Sequence, residues 1–173
     1  MKRELILGGG CFWCLEAVFE LIDGVSDVVS GYANGETSDP DYRAICTGLT
    51  GHAEVVKIVY DSDKISLETL LDIFFDIHNP TTLNSQGADR GTQYRSTILY
   101  TDEEIKNSAI EAMKKAQKNY TDKVVTTIEE LDKFYKAEEY HQDYYQNNST
   151  QGYCMAVISP KVAKLKSNYG KLL

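Results

Sequence analysis

The amino-acid sequence predicts an α+β fold: an antiparallel sheet carrying helices on one face, followed by a C-terminal extension. Three observations carry that prediction. Short apolar or β-branched runs of strand length recur at four places before residue 100. Two longer stretches between them place apolar residues along one helical face. The resulting order, β-α-β-β-α-β, is the split βαβ arrangement, whose two crossovers lay both helices on the same side of the sheet.

The elements follow in order. Residues 4–8, Glu-Leu-Ile-Leu-Gly, read as a short buried strand that stops at Gly8-Gly9-Gly10. A helix follows at once, because Leu15, Val18, Phe19 and Ile22 fall at i, i+3, i+4 and i+7, and Asp23-Gly24 ends it. Residues 25–33 form the second strand. The stretch 34–52 is rich in Gly, Asp, Ser and Thr without a period, a loop long enough to suggest function. A β-branched strand spans 54–60. Ser66 caps a helix over 67–77, which Pro80 bars from continuing. A second long polar loop covers 78–93, and a strand follows at 95–100.

Beyond residue 100 the extension begins with a helix to about residue 119, its start marked by Thr101 and Glu104 as a capping box. A strand over 123–129, a short helix near 138–146 and an amphipathic helix over 160–169 opening on Pro160 complete it. The chain has 173 residues, no internal repeat and no linker, which fits one catalytic domain, 1–173. Residues 146–159 are polar and turn-rich, and read as a mobile tail segment.

Composition excludes several classes. The net charge is −8 and no Lys/Arg run exceeds two residues, so nothing could neutralise a row of phosphates; nucleic-acid and anionic-membrane partners are excluded. Leu5-Ile6-Leu7 is too short for a secretory core, and no stretch approaches the ~20 apolar residues of a membrane span. The expected location is the cytoplasm, where thiols stay reduced. Four cysteines in that setting point to redox or nucleophilic chemistry, metal binding or inert burial rather than a disulfide frame.

Cys11 follows three glycines and opens the first predicted helix. Glycine permits close approach of backbone to a ligand, and a helix N-terminus offers free N–H groups and partial positive charge that favour a thiolate. Cys11 is therefore expected to be the most acidic and most nucleophilic thiol. Phe12 and Trp13 beside it suit either core packing or an apolar wall for a ligand.

Four blocks then stand in order along the chain: Gly10-Cys11-Phe12-Trp13, Gly51-His52-Ala53-Glu54-Val55, Gly87 to Ser96 (Gly-Ala-Asp-Arg-Gly-Thr-Gln-Tyr-Arg-Ser), and Tyr140-His141-Gln142-Asp143-Tyr144. Together they resemble the A-type peptide methionine sulfoxide reductases. The resemblance covers most of residues 4–165. It implies a ferredoxin-like α+β core. It also implies that Cys11 attacks the sulfoxide sulfur while Phe12 and Trp13 hold the substrate methyl group, with preference for the S epimer.

Losing the sulfoxide oxygen requires a proton donor or strong hydrogen bonds. The resemblance assigns the donor to Glu54, which opens an apolar strand where burial would raise its pKa, although by residue type alone a solvent-facing glutamate is the commoner state. It assigns Tyr42, Asp89 and Tyr94 to the substrate clamp; a phenol can donate at any physiological pH. His52 and His141 are placed behind the reacting groups, and no metal or cofactor is expected.

The sulfenic acid left on Cys11 must be resolved by a second thiol and the disulfide returned by an external dithiol. Cys154, in the context Gly152-Tyr153-Cys154, matches the family's resolving cysteine. Two departures matter. The family usually has glycine where this chain has Cys14, so Cys11 and Cys14 form a C-x-x-C at a helix start and Cys14 is an alternative resolving thiol. No cysteine follows Cys154, so the disulfide is expected to pass directly to thioredoxin or a glutaredoxin-like protein. Cys46 is read as inert. The implied substrate is methionine S-sulfoxide, free or within proteins. Two rival readings remain: a thiol–disulfide oxidoreductase using Cys11 and Cys14, and a zinc module of Cys11, Cys14 and histidines, which lacks a second ligand pair of suitable spacing.

Overall fold

A computed structural model describes residues 1–173. The chain forms strands β1 (Lys2–Gly8), β2 (Val25–Ala33), β3 (Ala53–Asp61), β4 (Ser85–Gln86), β5 (Asp89–Arg90), β6 (Thr97–Tyr100), β7 (Thr127–Glu130) and β8 (Phe134–Lys136). Its helices are α1 (Phe12–Phe19), α2 (Tyr42–Cys46), α3 (Leu67–Ile77), α4 (Glu103–Gln117), α5 (Tyr144–Asn148) and α6 (Ser159–Tyr169). Six strands make one sheet in the order β7-β6-β1-β3-β2-β8, and β4 and β5 form a separate hairpin. All neighbours in the large sheet are antiparallel except β6 and β7, which run parallel around α4. No helix is long and apolar enough to cross a membrane.

Alternation along the strands divides the sheet. Leu5 and Leu7 of β1, Val56, Ile58 and Tyr60 of β3 and Ile98 of β6 point to the main core, where they meet α1, α3, α4 and α6. Ile6, Val55 and Leu99 point the other way into a small cluster closed by Leu131 and Phe134. Glu54 shares its strand parity with Val56 and Ile58, so the register that buries the core also sends this carboxylate to the helix-bearing face.

Several expectations are corrected. The loop 34–52 contains α2, started by Asp41, whose side chain accepts from the Ala44 amide at 2.7 Å. The loop 78–93 contains the β4–β5 hairpin and a helical turn at Thr92–Tyr94. The strand expected at 123–129 begins at Thr127. The cap of α4 is Asp102, which takes the Ile105 amide at 2.9 Å, not the Thr101–Glu104 box: Asp102 stands three residues before that free N–H, and its charge suits the helix end. Ser66 caps α3 as expected, accepting from Thr69 at 3.1 Å. Residues 146–159 are folded here: α5 runs into a wide turn over Cys154–Ile158 that leads directly into α6.

Candidate active site

Cys11 stands in extended conformation at the N-cap of α1, directly after β1 and its glycines. The glycines make room for the protein itself. A Cβ on Gly9 would meet the His78 and Phe74 rings, and one on Gly10, at φ +88°, would meet the Gln86 side chain at 2.8 Å. The Gly10 amide donates to the Tyr94 carbonyl at 3.1 Å, which ties the turn before Cys11 to the loop carrying Asp89 and Tyr94.

Glu54 lies on β3 beside the start of α1 and is 1% exposed. Its Oε1 accepts from the Phe12 amide at 3.2 Å, one of the four N–H groups a helix start leaves without an internal partner. Its Oε2 is buried with no hydrogen-bond partner. Burial raises the carboxyl pKa to about 8, against the lowering by the Phe12 amide, so the group is largely protonated at neutral pH.

The Cys11 thiol does not show the acidity expected of a helix start. Burial pushes its pKa well up, and the Glu54 and Cys14 charges push the same way; only a backbone bond from Trp13 acts downward. Desolvation outweighs the helix end, and the charges bearing most on the sulfur are negative. The thiol and the acid beside it thus both rest in their neutral forms.

Phe12 is fully buried, its ring 5.6 Å from Tyr32 and 5.0 Å from His141. Trp13 is half-buried. It stacks on Tyr144 at 3.7 Å with the rings 5° apart, meets Tyr153 edge-on at 5.9 Å, and donates its Nε1–H to His141 Nδ1 at 3.0 Å. That bond makes His141 Nδ1 an acceptor, and burial lowers the histidine's pKa, so the ring is neutral with its proton on Nε2. The Tyr42 ring lies 4.5 Å from His141. Tyr42 and Tyr94 are half-buried, and burial raises both phenol pKa values, with the Cys46 thiol next in effect at Tyr42 and the Glu54 charge next at Tyr94. His52 serves the backbone instead: its ring accepts from the Gly35 amide at 3.0 Å and contacts the Thr37 carbonyl at 2.7 Å.

A cavity of about 140 Å³ opens beside Cys11, lined by Cys11, Cys14, Asp89, Tyr153 and Lys161 among others. A larger groove of about 490 Å³ between α3 and α4 is lined by Glu68, Asp72 and Lys115 among others and by no cysteine. Asp89 accepts from the Tyr153 hydroxyl at 2.6 Å, so Tyr153 bridges the C-terminal segment to the 78–93 loop. Cys154, next in sequence, turns away from the cavity into the main core; it is fully buried, and its thiol donates to Gln151 Oε1 at 3.6 Å. Cys46 is exposed at the end of α2.

Two groups escaped the sequence reading. Glu16, one turn into α1, is 1% exposed; its carboxylate accepts from the Tyr144 amide at 3.2 Å and the Ser30 hydroxyl at 3.4 Å. Burial raises its pKa to about 7. Tyr153 stands in the sequence only as the neighbour of Cys154. A glutamate among the apolar positions of a helix is a signal for the first; nothing local distinguishes Tyr153 among twelve tyrosines.

The chain matches a family model described as peptide methionine sulfoxide reductase over residues 3–172. It is 57% identical over 156 residues to "Peptide methionine sulfoxide reductase MsrA" of Ruthia magnifica, covering 90% of this chain and 93% of that one. Reduced Mxr1 from Saccharomyces cerevisiae is 38% identical, with TM-score 0.84 over 88% of this chain and 89% of that one. Mxr1 in complex with Trx2 gives TM-score 0.61 at 29% identity, over 83% and 84% of the two chains.

Proposed function

The chain belongs to the peptide methionine sulfoxide reductase family, and from that premise we propose that it reduces methionine S-sulfoxide, free or within proteins, with Cys11 as nucleophile and Glu54 as acid. The observation that carries the reading is the Glu54 carboxyl. It is buried, held by the Phe12 amide beside Cys11, and raised to about 8. A neutral acid at that place supplies the proton that sulfoxide cleavage needs.

The chemistry follows from the two neutral partners. The Cys11 thiol gives up its proton as its sulfur attacks the sulfoxide sulfur. Glu54 protonates the sulfoxide oxygen, and Tyr42, Asp89 and Tyr94 orient it. The S–O bond breaks with its electron pair on oxygen, which leaves as water carrying the thiol and Glu54 protons; water then adds to sulfur 11, the new S–S bond breaks with its pair on the thioether, and Glu54 takes back a proton, so thiol plus sulfoxide gives sulfenic acid plus thioether. Phe12 and Trp13 form the apolar wall for the methyl group. Cys154 then condenses with the sulfenic acid, releasing water and forming a disulfide, for which the 146–159 segment of the single catalytic domain must leave its folded position.

A thioredoxin-type dithiol protein reduces that disulfide; the Mxr1–Trx2 complex supports this partner. The cytoplasm, where such dithiols keep thiols reduced, is the compartment the cycle requires. The sheet order β6-β1-β3-β2, with α1 and α3 as its crossovers, supports a ferredoxin-like core.

The test is direct. Purified protein is mixed with dithiothreitol and racemic methionine sulfoxide, and each diastereomer is followed. Loss of the S form alone is expected, abolished by Cys11→Ser. Consumption of both forms at equal rates, or activity that survives Cys11→Ser, overturns the reading.

A further inference from the structure

We propose that Lys161 binds the α-carboxylate of the methionine sulfoxide under attack, so that an oxidised methionine with a free carboxyl, as the amino acid or as the last residue of a peptide, is preferred to one inside a chain. This specificity rests on the reading above, in which the sulfoxide sulfur lies against Cys11.

Lys161 stands in the first turn of α6, just after the wide turn that carries Cys154. It is half-buried and lines the cavity beside Cys11 together with Cys14, Asp89 and Tyr153. Its ammonium faces inward. After burial, the main cause of the raised Cys14 pKa, the Lys161 charge is the next influence on that thiol. It acts also on the buried His78 ring, behind burial and the Phe74 carbonyl. A charge turned out into solvent would be screened from both.

That ammonium has no anion of its own. None of the chain's ion pairs includes Lys161. Asp89, the one carboxylate lining the same cavity, accepts instead from the Tyr153 hydroxyl at 2.6 Å. A half-buried cation without a counter-charge gains from an anion that enters beside it. The Gly87–Ala88 turn between β4 and β5 forms another part of the wall, and neither amide is used in a backbone hydrogen bond, which leaves donors for a second carboxylate oxygen.

The size of the cavity decides which anion fits. It holds about 140 Å³ and includes Cys11 itself. With the sulfoxide sulfur at Cys11, only the short aliphatic chain of the same residue separates it from its α-carboxylate. An acidic side chain on the next residue of a peptide starts ~3.8 Å further along the backbone, beyond so small a space. An internal methionine sulfoxide presents a neutral carbonyl here, and the ammonium gains less from it. The carboxylate takes no part in breaking the S–O bond, so the difference falls on binding and appears in KM rather than kcat.

Four substrates test this: methionine S-sulfoxide and its amide, and N-acetylmethionine S-sulfoxide and its amide, each with dithiothreitol as reductant. Within each acid–amide pair, kcat/KM is compared on one enzyme preparation, so partly unfolded protein cancels from the ratio. The acid should be favoured about five- to tenfold in each pair, through KM, the range for a partly screened charge pair. Lys161→Met should bring both ratios to about one, and Lys161→Arg should keep them. A preference confined to the first pair identifies the free amino acid as the source of the carboxylate, and one confined to the second identifies the chain terminus. Ratios near one in the parent, or ratios that survive Lys161→Met, overturn the proposal and leave the sulfoxide-reductase reading intact. Failure to reduce any of the four overturns both.

Discussion

The Glu54 carboxyl receives the Phe12 amide hydrogen at 3.2 Å, so it is fixed to the residue that follows Cys11 at the start of α1. This bond lets a carboxyl from the sheet occupy the end of α1 without a cation. Glu54→Gln keeps an acceptor for Phe12 but cannot give up a proton. Sulfoxide reduction should fall by about 10²–10⁴-fold, the range for losing a general acid, while the fold is retained by circular dichroism. A loss below tenfold would mean that the proton comes from elsewhere.

Two buried carboxyls, Glu16 and Glu54, have folded-state pKa values of about 7 and about 8, above the ordinary 4.5. Between those limits the folded chain holds protons that the unfolded chain has released. Their contribution is therefore fully present below about 4.5 and is lost as pH rises through 7 to 8. Replacing Glu54 with Gln removes its part of that loss, worth on the order of a few kcal/mol. Thermal melts at pH 5 and pH 9 should show the variant gaining on the parent only at the higher pH, and equal shifts at both would refute the assignment.

Trp13 is the only tryptophan and its Nε1–H bonds His141 Nδ1 at 3.0 Å. His141→Leu leaves that donor without its acceptor, at a cost of about 1–3 kcal/mol. Indole emission should change, and kcat/KM should fall mainly through KM, because the wall for the methyl group loses its orientation. Emission identical to the parent's would show that the ring is held by Tyr144 alone.

The Tyr153–Asp89 bond closes the C-terminal segment over the cavity. Tyr153→Phe removes a hydrogen bond to a charged acceptor, worth about 1.5–3 kcal/mol. Amide exchange across 153–158 should speed up by tenfold or more, with α3 and the central strands unaffected. Unchanged exchange would place the tail's hold in the Trp13–Tyr144 stack instead.

Asp102 rather than Thr101 caps α4. Asp102→Ala should cost about 1 kcal/mol in urea unfolding and Thr101→Ala a few tenths at most. The reverse order would restore the Thr101–Glu104 box.

Much of this protein is set by local chemistry. The ends of β2 and α3, the Ser66 cap and the Cys11 position at a helix start follow from periodicity, caps and breakers, which act within a few residues. The four blocks pointed to the reacting groups. What the sequence did not reveal is whatever depends on distance in space. The acidity of Cys11 is decided by burial beneath elements distant in sequence, the C-terminal segment and α6 among them. The neutrality of Glu54 depends on strand parity in a register fixed by β2 and β1. The burial of Cys154 comes from α6 folding back on α1, and the link from Glu16 to Tyr144 joins residues that only the closed core brings together. Propensity is a short-range quantity; desolvation and hydrogen-bond partnership belong to the packed chain, so the tertiary structure alone decided them.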